Sequence, residues 1–243
     1  MIPNHITKID TRGKKVLIIS DTHVPYSHID YINFLEDIKD RFKPDIVIHI
    51  GDEADKHAMS FHPSDPDLMS AGPELDKTID EFKEGLHRLF PNMFLLESNH
   101  GSMLYRKAKV NGTPRRYLKS LAQVYETPQW SWHDEIILET DMGLVYLCHG
   151  KTSAYGKLCK EESKSAIQGH FHGRFEITWH QSSTVKKFNM FVGCLVDARS
   201  MALAYGKNFV QQPCLGVGAL MGNGLPILFP MHVDQNNRWT GKI

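Results

Sequence analysis

Four short apolar runs in the first 150 residues each end in an acid, an asparagine or a histidine, and this punctuation constrains the fold more than any other feature of the chain. Val16–Ile19 runs into Ser20-Asp21-Thr22-His23, Asp45–Ile50 into Gly51-Asp52, Met93–Ser98 into Asn99-His100, and Leu144–Cys148 into His149. Short β-branched runs bounded by polar residues read as buried strands. Between the first two, Ile29, Ile32, Phe34, Leu35, Ile38 and Phe42 form a helical stripe, opened by Ser27 and Asp30 at capping-box spacing and closed by Pro44. Glu74–Phe90 reads as a second amphipathic helix, and 57–73, rich in Pro, Ser and Asp, as an irregular loop. Strand, polar end, helix, strand is βαβ construction, in which ligands gather beyond the carboxyl ends of the strands.

The second half changes grammar. Glu135–Thr140 and Leu144–Cys148 flank Asp141-Met-Gly143 as a hairpin, and further strands are expected at 174–180, 187–196 and within 214–230, with helices scarce after Ser165. With no internal repeat or low-complexity linker, the expectation is an α/β chain of two packed sheets forming a single domain over residues 1–243.

Lys plus Arg and Asp plus Glu stand at 28 each, which argues against bulk attraction to nucleic acid or an anionic membrane and leaves only local basic patches. Cys148, Cys159, Cys194 and Cys214 lack the paired spacing of a zinc ribbon or redox motif. Residues 1–10 show no basic segment followed by an apolar one, and no apolar run exceeds strand length. The expected setting is the cytoplasm, with reduced thiols and no membrane partner.

The strand-end groups are Asp21, His23, Asp52, Asn99, His100, His149, His170 and His172, and all but His100 form a metal-ligand inventory. Carboxylate and imidazole donors suit manganese, iron, zinc, cobalt or nickel. In extended chain, side chains at i and i+2 point the same way, so Asp21 and His23 would grip one ion, as would His170 and His172. A carboxylate such as Asp52 bridges two cations, and a hydroxide shared by both would attack phosphorus without a covalent intermediate. His100, beside Asn99 but one residue off its direction, is the candidate general acid for the leaving alkoxide. The alternative, that these polar groups merely cap helices and turns, suits any one of them but not the whole series.

Asp21-Thr-His23, Gly51-Asp52, Asn99-His100, His149-Gly150 and Gly169-His-Phe-His172, in this order, resemble the five blocks of the calcineurin-like metallophosphoesterases, spanning residues 16–172. The resemblance implies a four-layer αββα sandwich holding two divalent ions. One ion would take Asp21, His23, Asp52 and His172, the other Asp52, Asn99, His149 and His170. Asp55-Lys56-His57 and His100-Gly101 depart from the Asp-Arg-Gly and Asn-His-Glu continuations of the protein Ser/Thr phosphatase branch, and Ser98 stands where glycine is usual.

No acid occurs between Gly101 and Tyr125, while Arg106, Lys107, Lys109, Arg115, Arg116 and Lys119 follow His100. Arg106, Arg115 and Arg116 are the candidate substrate-binding residues, since guanidinium holds phosphate in a bidentate fork, the alternative being a solvated basic helix face. Trp130, Trp132 and Tyr155 are assigned to core packing rather than base stacking, and Cys148 to packing. The leading expectation is a phosphomonoesterase for a small, nucleotide-like substrate, resembling virus-encoded or bacterial members such as phage deoxynucleoside 5′-monophosphatases. A nuclease or cyclic-nucleotide phosphodiesterase comes second, with nucleic acid as partner, and a non-catalytic binding protein third.

Overall fold

The computed structural model describes residues 6–61, 65–200 and 212–242; His5 and His62, read from the sequence as non-ligand histidines, lie outside them. The chain runs through β1 (Ile6–Asp10), β2 (Val16–Ile19), α1 (Tyr31–Phe42) and β3 (Ile46–His49). A 3-10 turn (His57–Met59) precedes α2 (Ala71–Glu81), which continues through a π-helical stretch (Phe82–Leu86) into α3 (His87–Leu89). Then follow β4 (Met93–Leu96), α4 (Met103–Val110), α5 (Leu121–Val124), β5 (Trp130–His133), β6 (Glu135–Thr140), β7 (Gly143–Cys148) and α6 (Lys157–Glu161). The last elements are β8 (Ser165–Gln168), β9 (Phe175–Gln181), β10 (Lys186–Val192), β11 (Gly216–Leu220) and β12 (Pro226–Pro230).

The strands form two six-stranded mixed sheets, ordered β12-β11-β2-β3-β4-β5 and β1-β6-β7-β8-β10-β9. β2 to β5 are parallel neighbours, so their carboxyl ends share one edge. The period of two along each strand sorts its side chains between layers. Val16, Ile18, Ile48, Ile50 and Leu96 pack against Ile136, Leu138, Val145, Leu147, Ile167, Phe188, Met190 and Val192 of the other sheet. Leu17, Ile19, Val47 and Leu95 point the opposite way, onto Phe34, Leu35 and Ile38 of α1 and Phe82 and Leu86 of the π-helical stretch. On the far side Ile137, Tyr146, Cys148 and Ala166 meet Leu158 and Cys159 of α6, so the order is helix, sheet, sheet, helix.

Several local expectations need correction. Ser27 and Asp30 do not form a capping box: Ser27 Oγ donates to the Thr22 carbonyl, and Asp30 accepts from Arg238 and from the Trp239 N–H instead. The second helix starts at Ala71 rather than Glu74, with Pro73 in its first turn, where the missing N–H is not needed. The irregular loop is correspondingly shorter. β1 and β5 escaped the sequence reading because each is an edge strand with little continuous apolar character. Trp130 and Trp132 belong to the core as expected, but Tyr155 is 61% exposed and lies over the Arg174 guanidinium at 4.1 Å.

Candidate metal centre

β2 and β3 end side by side, and the ladder between them continues through the loops that follow. Asp21, His23 and Val24 donate their N–H groups to the carbonyls of Gly51, Asp52 and Glu53, each at 3.0 Å. To keep these bonds while turning their side chains into one space, Asp21, His23 and Asp52 adopt left-handed backbone, with φ of 51°, 49° and 54°; His170 does the same at 65°. The extended i, i+2 geometry expected for Asp21-Thr-His23 and for His170-Phe-His172 is therefore wrong. Such a conformation costs about 1–3 kcal/mol per residue, whereas each buried aliphatic side chain of the adjoining strands contributes roughly 1.5–3 kcal/mol. The packed sheets hold the strained ends in place.

Close approach makes two glycines obligatory. A Cβ on Gly51, whose φ is 105°, would lie 2.7 Å from His149 Nδ1 and 2.8 Å from Ser98 Cβ. One on Gly169 would collide with Ser20 Oγ and come within 2.5 Å of Asp21 Oδ2. Ser98, where glycine is usual, contributes a bond that glycine could not make. Its Oγ accepts the Gly101 N–H at 2.9 Å and so closes the turn that carries Asn99 and His100.

Three groups of donors result, Asp21 with His23 and His172, Asp52 with His149 and His170, and His23 with Asp55 and His100, each with ligand atoms within 4.8 Å of one another; the first two contain only residues expected as ligands. His170 and His172 thus part company, as the resemblance implied and the simple spacing did not. Asp21 Oδ1 lies 3.1 Å from His172 Nε2 and 3.7 Å from His23 Nε2, while its Oδ2 accepts the His170 N–H at 2.8 Å and also the Ser20 hydroxyl. Asp52 Oδ2 stands between the first two groups, 3.0 Å from His149 Nε2 and 3.7 Å from His23 Nε2. Asn99 Oδ1 joins the second group at 2.8 Å from His149 Nε2.

The imidazoles are held from behind. His149 Nδ1 bonds the Ile50 carbonyl at 3.0 Å, His23 Nδ1 lies 2.6 Å from Asp55 Oδ1, and His100 Nδ1 bonds the Asp55 carbonyl. Each arrangement fixes the tautomer that turns Nε2 into the common space, the usual orientation of a metal-ligating histidine. His23 Nε2 is buried and hydrogen-bonds nothing among the described residues. Burial disfavours charge on His23, yet Asp21 and Asp55 hold its pKa well above the ordinary value. Burial acts likewise on His149, and Asp52 raises it to about 9. Burial also pushes Asp21 and Asp52 upward, but His172 and His149 respectively bring both below the usual carboxylate range. Two buried carboxylates call for positive charge, which protonated His23 and His149 or divalent cations in their place would supply, and the carboxylate and imidazole donor set fits divalent cations.

Asp55 and His49 were missed by the sequence reading. Asp55 was legible only as a second carboxylate three residues after Asp52. His49, at the end of β3, is fully buried; its Nδ1 accepts the Gly51 N–H at 3.3 Å and its Nε2 lies 3.1 Å from Thr22 Oγ1. Burial drives the His49 pKa down to about 3, so it is a neutral brace beneath both ligand loops. Lys56, whose pKa burial lowers, donates to the carbonyls of His100 and Gly101 at 3.0 and 3.3 Å. Arg106, Arg115 and Arg116 hydrogen-bond no member of the cluster among the described residues: they lie over Phe61, Tyr105 and Tyr117, and Arg115 also reaches Glu97.

A two-sheet αββα sandwich with carboxylates and histidines at the strand ends defines a metal-dependent phosphoesterase. The chain matches the calcineurin-like phosphoesterase family over residues 14–194 and belongs to it. It is a metal-dependent phosphoric ester hydrolase that uses divalent metal ions. Among solved structures, Vps29 of Chaetomium thermophilum is 10% identical, with a TM-score of 0.52 over 93% of this chain and 92% of that one. An archaeal phosphodiesterase is 18% identical, with a TM-score of 0.47 over 89% and 99%. The E. coli phosphoesterase YfcE is 12% identical, with a TM-score of 0.44 over 90% and 100%. The likeness to Vps29 shows the fold alone. No curated protein matches the chain. No helix among the described residues is long and apolar enough to cross a membrane.

Proposed function

We propose that the protein is a phosphomonoesterase acting on nucleoside 5′-monophosphates or similar small phosphate esters. In this reading Asp21, His23, Asp52, Asn99, His149, His170 and His172 hold two divalent ions, manganese among the candidates, and His100 is the general acid. The supporting observation is the convergence of His23 and His149 Nε2 on Asp52 Oδ2, which makes that oxygen common to the first two groups. Divalent ions bound there would neutralise phosphoryl oxygens and lower the pKa of water toward neutrality.

The chain's own groups then divide the remaining roles. Asp55 fixes His23 and, through its carbonyl, the tautomer of His100. His100 Nε2 lies 3.9 Å from Asp52 Oδ2, and its side chain is 20% exposed, so it faces both the centre and incoming substrate. Burial lowers the His100 pKa while Asp52 opposes that shift, so it is His100 protonated on both nitrogens that hands the Nε2 proton to the departing oxygen as water attacks phosphorus directly. The four cysteines are free, which supports a reducing, cytoplasmic setting.

A second reading, cleavage of a phosphodiester, is favoured by the cations after His100, of which only Arg115 meets a carboxylate among the described residues. Hydrolysis of p-nitrophenyl phosphate and of deoxynucleoside 5′-monophosphates, set against bis(p-nitrophenyl) phosphate with the same metal, separates the two. Faster turnover of the monoesters is expected, and preference for the bis ester would overturn the first reading.

A further inference from the structure

α4 begins three residues after His100, and the segment from Gly101 to Tyr125 carries six cations and no acid. A solvated helix face normally sets acids one turn from its cations. Here Arg115 alone has a carboxylate partner, Glu97 at 3.2 Å, among the described residues. Because the whole chain balances 28 basic against 28 acidic side chains, the excess is a local field beside the metal centre rather than a property of the protein at large.

Aromatic rings are interleaved with these cations. Phe61, on the loop after Asp52, is 49% exposed, with the Arg106 guanidinium 4.4 Å and the Lys107 ammonium 5.6 Å from its ring centre. Arg115 lies 5.3 Å from the Tyr105 ring, and Tyr117 beyond it is 72% exposed. Arg106, Lys109, Arg116 and Lys119 are open to solvent. Exposed rings stack bases of any identity, while unpaired cations follow a phosphate backbone.

We propose that this surface, from Phe61 across α4 to Tyr117, docks single-stranded nucleic acid and presents one phosphate of the strand to the metal centre. A mononucleotide offers one phosphate and would leave most of these cations unanswered. A duplex keeps its base faces stacked inside and has no use for exposed rings, and an acidic peptide lacks the flat faces that stack on them. The inference rests on the second, phosphodiester reading of the centre and deepens it, naming the substrate class as a single-stranded polynucleotide. Its docking step needs no catalysis.

The test is fluorescence anisotropy of a labelled oligothymidylate of about 20 nucleotides, with the full chain in EDTA at about 50 mM salt. Binding is expected, with log K falling against log salt at a slope of roughly −3 to −4 for five unpaired cations at about −0.7 each. Phe61→Ala should weaken it by roughly 5- to 150-fold, the range of one lost stacked base. The double variant Lys107→Glu, Lys109→Glu should weaken it at least about tenfold and flatten the slope by about 1.4, and circular dichroism melting confirms that both variants fold. Absence of binding, equal binding by both folded variants, or equal affinity for duplex or polyglutamate would overturn the proposal. If the strand fails to bind while p-nitrophenyl phosphate is hydrolysed, docking falls and the phosphomonoesterase reading stands. If it binds but no phosphate ester is hydrolysed with any metal, docking stands and the enzymatic reading of this centre falls.

Discussion

Asp55 holds two histidines with two different oxygens: Oδ1 lies 2.6 Å from His23 Nδ1, and the main-chain carbonyl accepts from His100 Nδ1. One residue thereby orients a proposed ligand and the proposed acid. Asp55→Asn keeps the carbonyl but trades the carboxylate for an amide, so His23 should lose its hold while His100 keeps its tautomer. Outer partners of metal-bound histidines are worth about 10–100-fold in metal affinity. A loss of that size is expected in metal titrations by calorimetry, and unchanged affinity would remove Asp55 from the account.

His100→Ala should retain its metals and lose about 10²–10⁴-fold in kcat on alkyl phosphates. The loss should be smallest on p-nitrophenyl phosphate, whose leaving group departs readily without a proton. Metal content by elemental analysis and rates across a leaving-group series decide the matter. Equal losses on all esters, or loss of metal, would mean that His100 does not serve as the acid.

His49 makes stability depend on pH in a definite direction. Its pKa is about 3 in the fold against 6.5 ordinarily, so between these values the unfolded chain binds the extra proton and stability rises with pH. From pH 6.5 to 5.5 the loss from this one group is about 1 kcal/mol. Urea unfolding in EDTA should show the His49→Gln variant less stable at neutral pH but with a shallower fall on acidification. An identical pH slope in the two proteins would contradict the neutral brace.

Asp30 ties the last described residues to the start of α1. Its oxygens accept from Arg238 Nε and Nη2 at 2.7 and 2.6 Å and from the Trp239 N–H at 2.9 Å. Arg238 holds the carboxyl below its ordinary value of 3.8, so the contribution is fully present above that pH and is lost as the pH falls through the lowered folded-state value. Asp30→Asn should cost about 1–2 kcal/mol at pH 7, given the exposure of the arginine, and progressively less as the pH falls through the lowered folded-state value. Thermal melts over a descending pH series test this, and a cost that stays constant down to acid unfolding would refute it.

Much of the site was legible because its residues lie at the ends of contiguous apolar runs, where a strand delivers them whatever the rest of the chain does. Asp21, His23, Asp52, Asn99, His149, His170 and His172 were all proposed as ligands on that ground, and the structure brings them into one cluster. Asp55 and His49 stayed hidden, since their importance lies in contacts with residues distant along the chain. The failed capping box at Ser27 and Asp30 has the same origin, for a partner 208 residues away outbid the local helix N-terminus. Tyr155 was assigned to the core because its residue type packs well, but its burial depends on where the loop after His149 lies.

The sequence by itself determined the element types of the parallel half, the period-two sorting of side chains between layers, and the donor inventory at the strand ends, because all three follow from local chain geometry. Tertiary structure alone decided which donor joins which group, that Asp21, His23, Asp52 and His170 turn left-handed, and which nitrogen each held imidazole presents. Those outcomes depend on hydrogen bonds between separate loops and on the packing that offsets backbone strain, and neither is encoded within any single stretch of the chain.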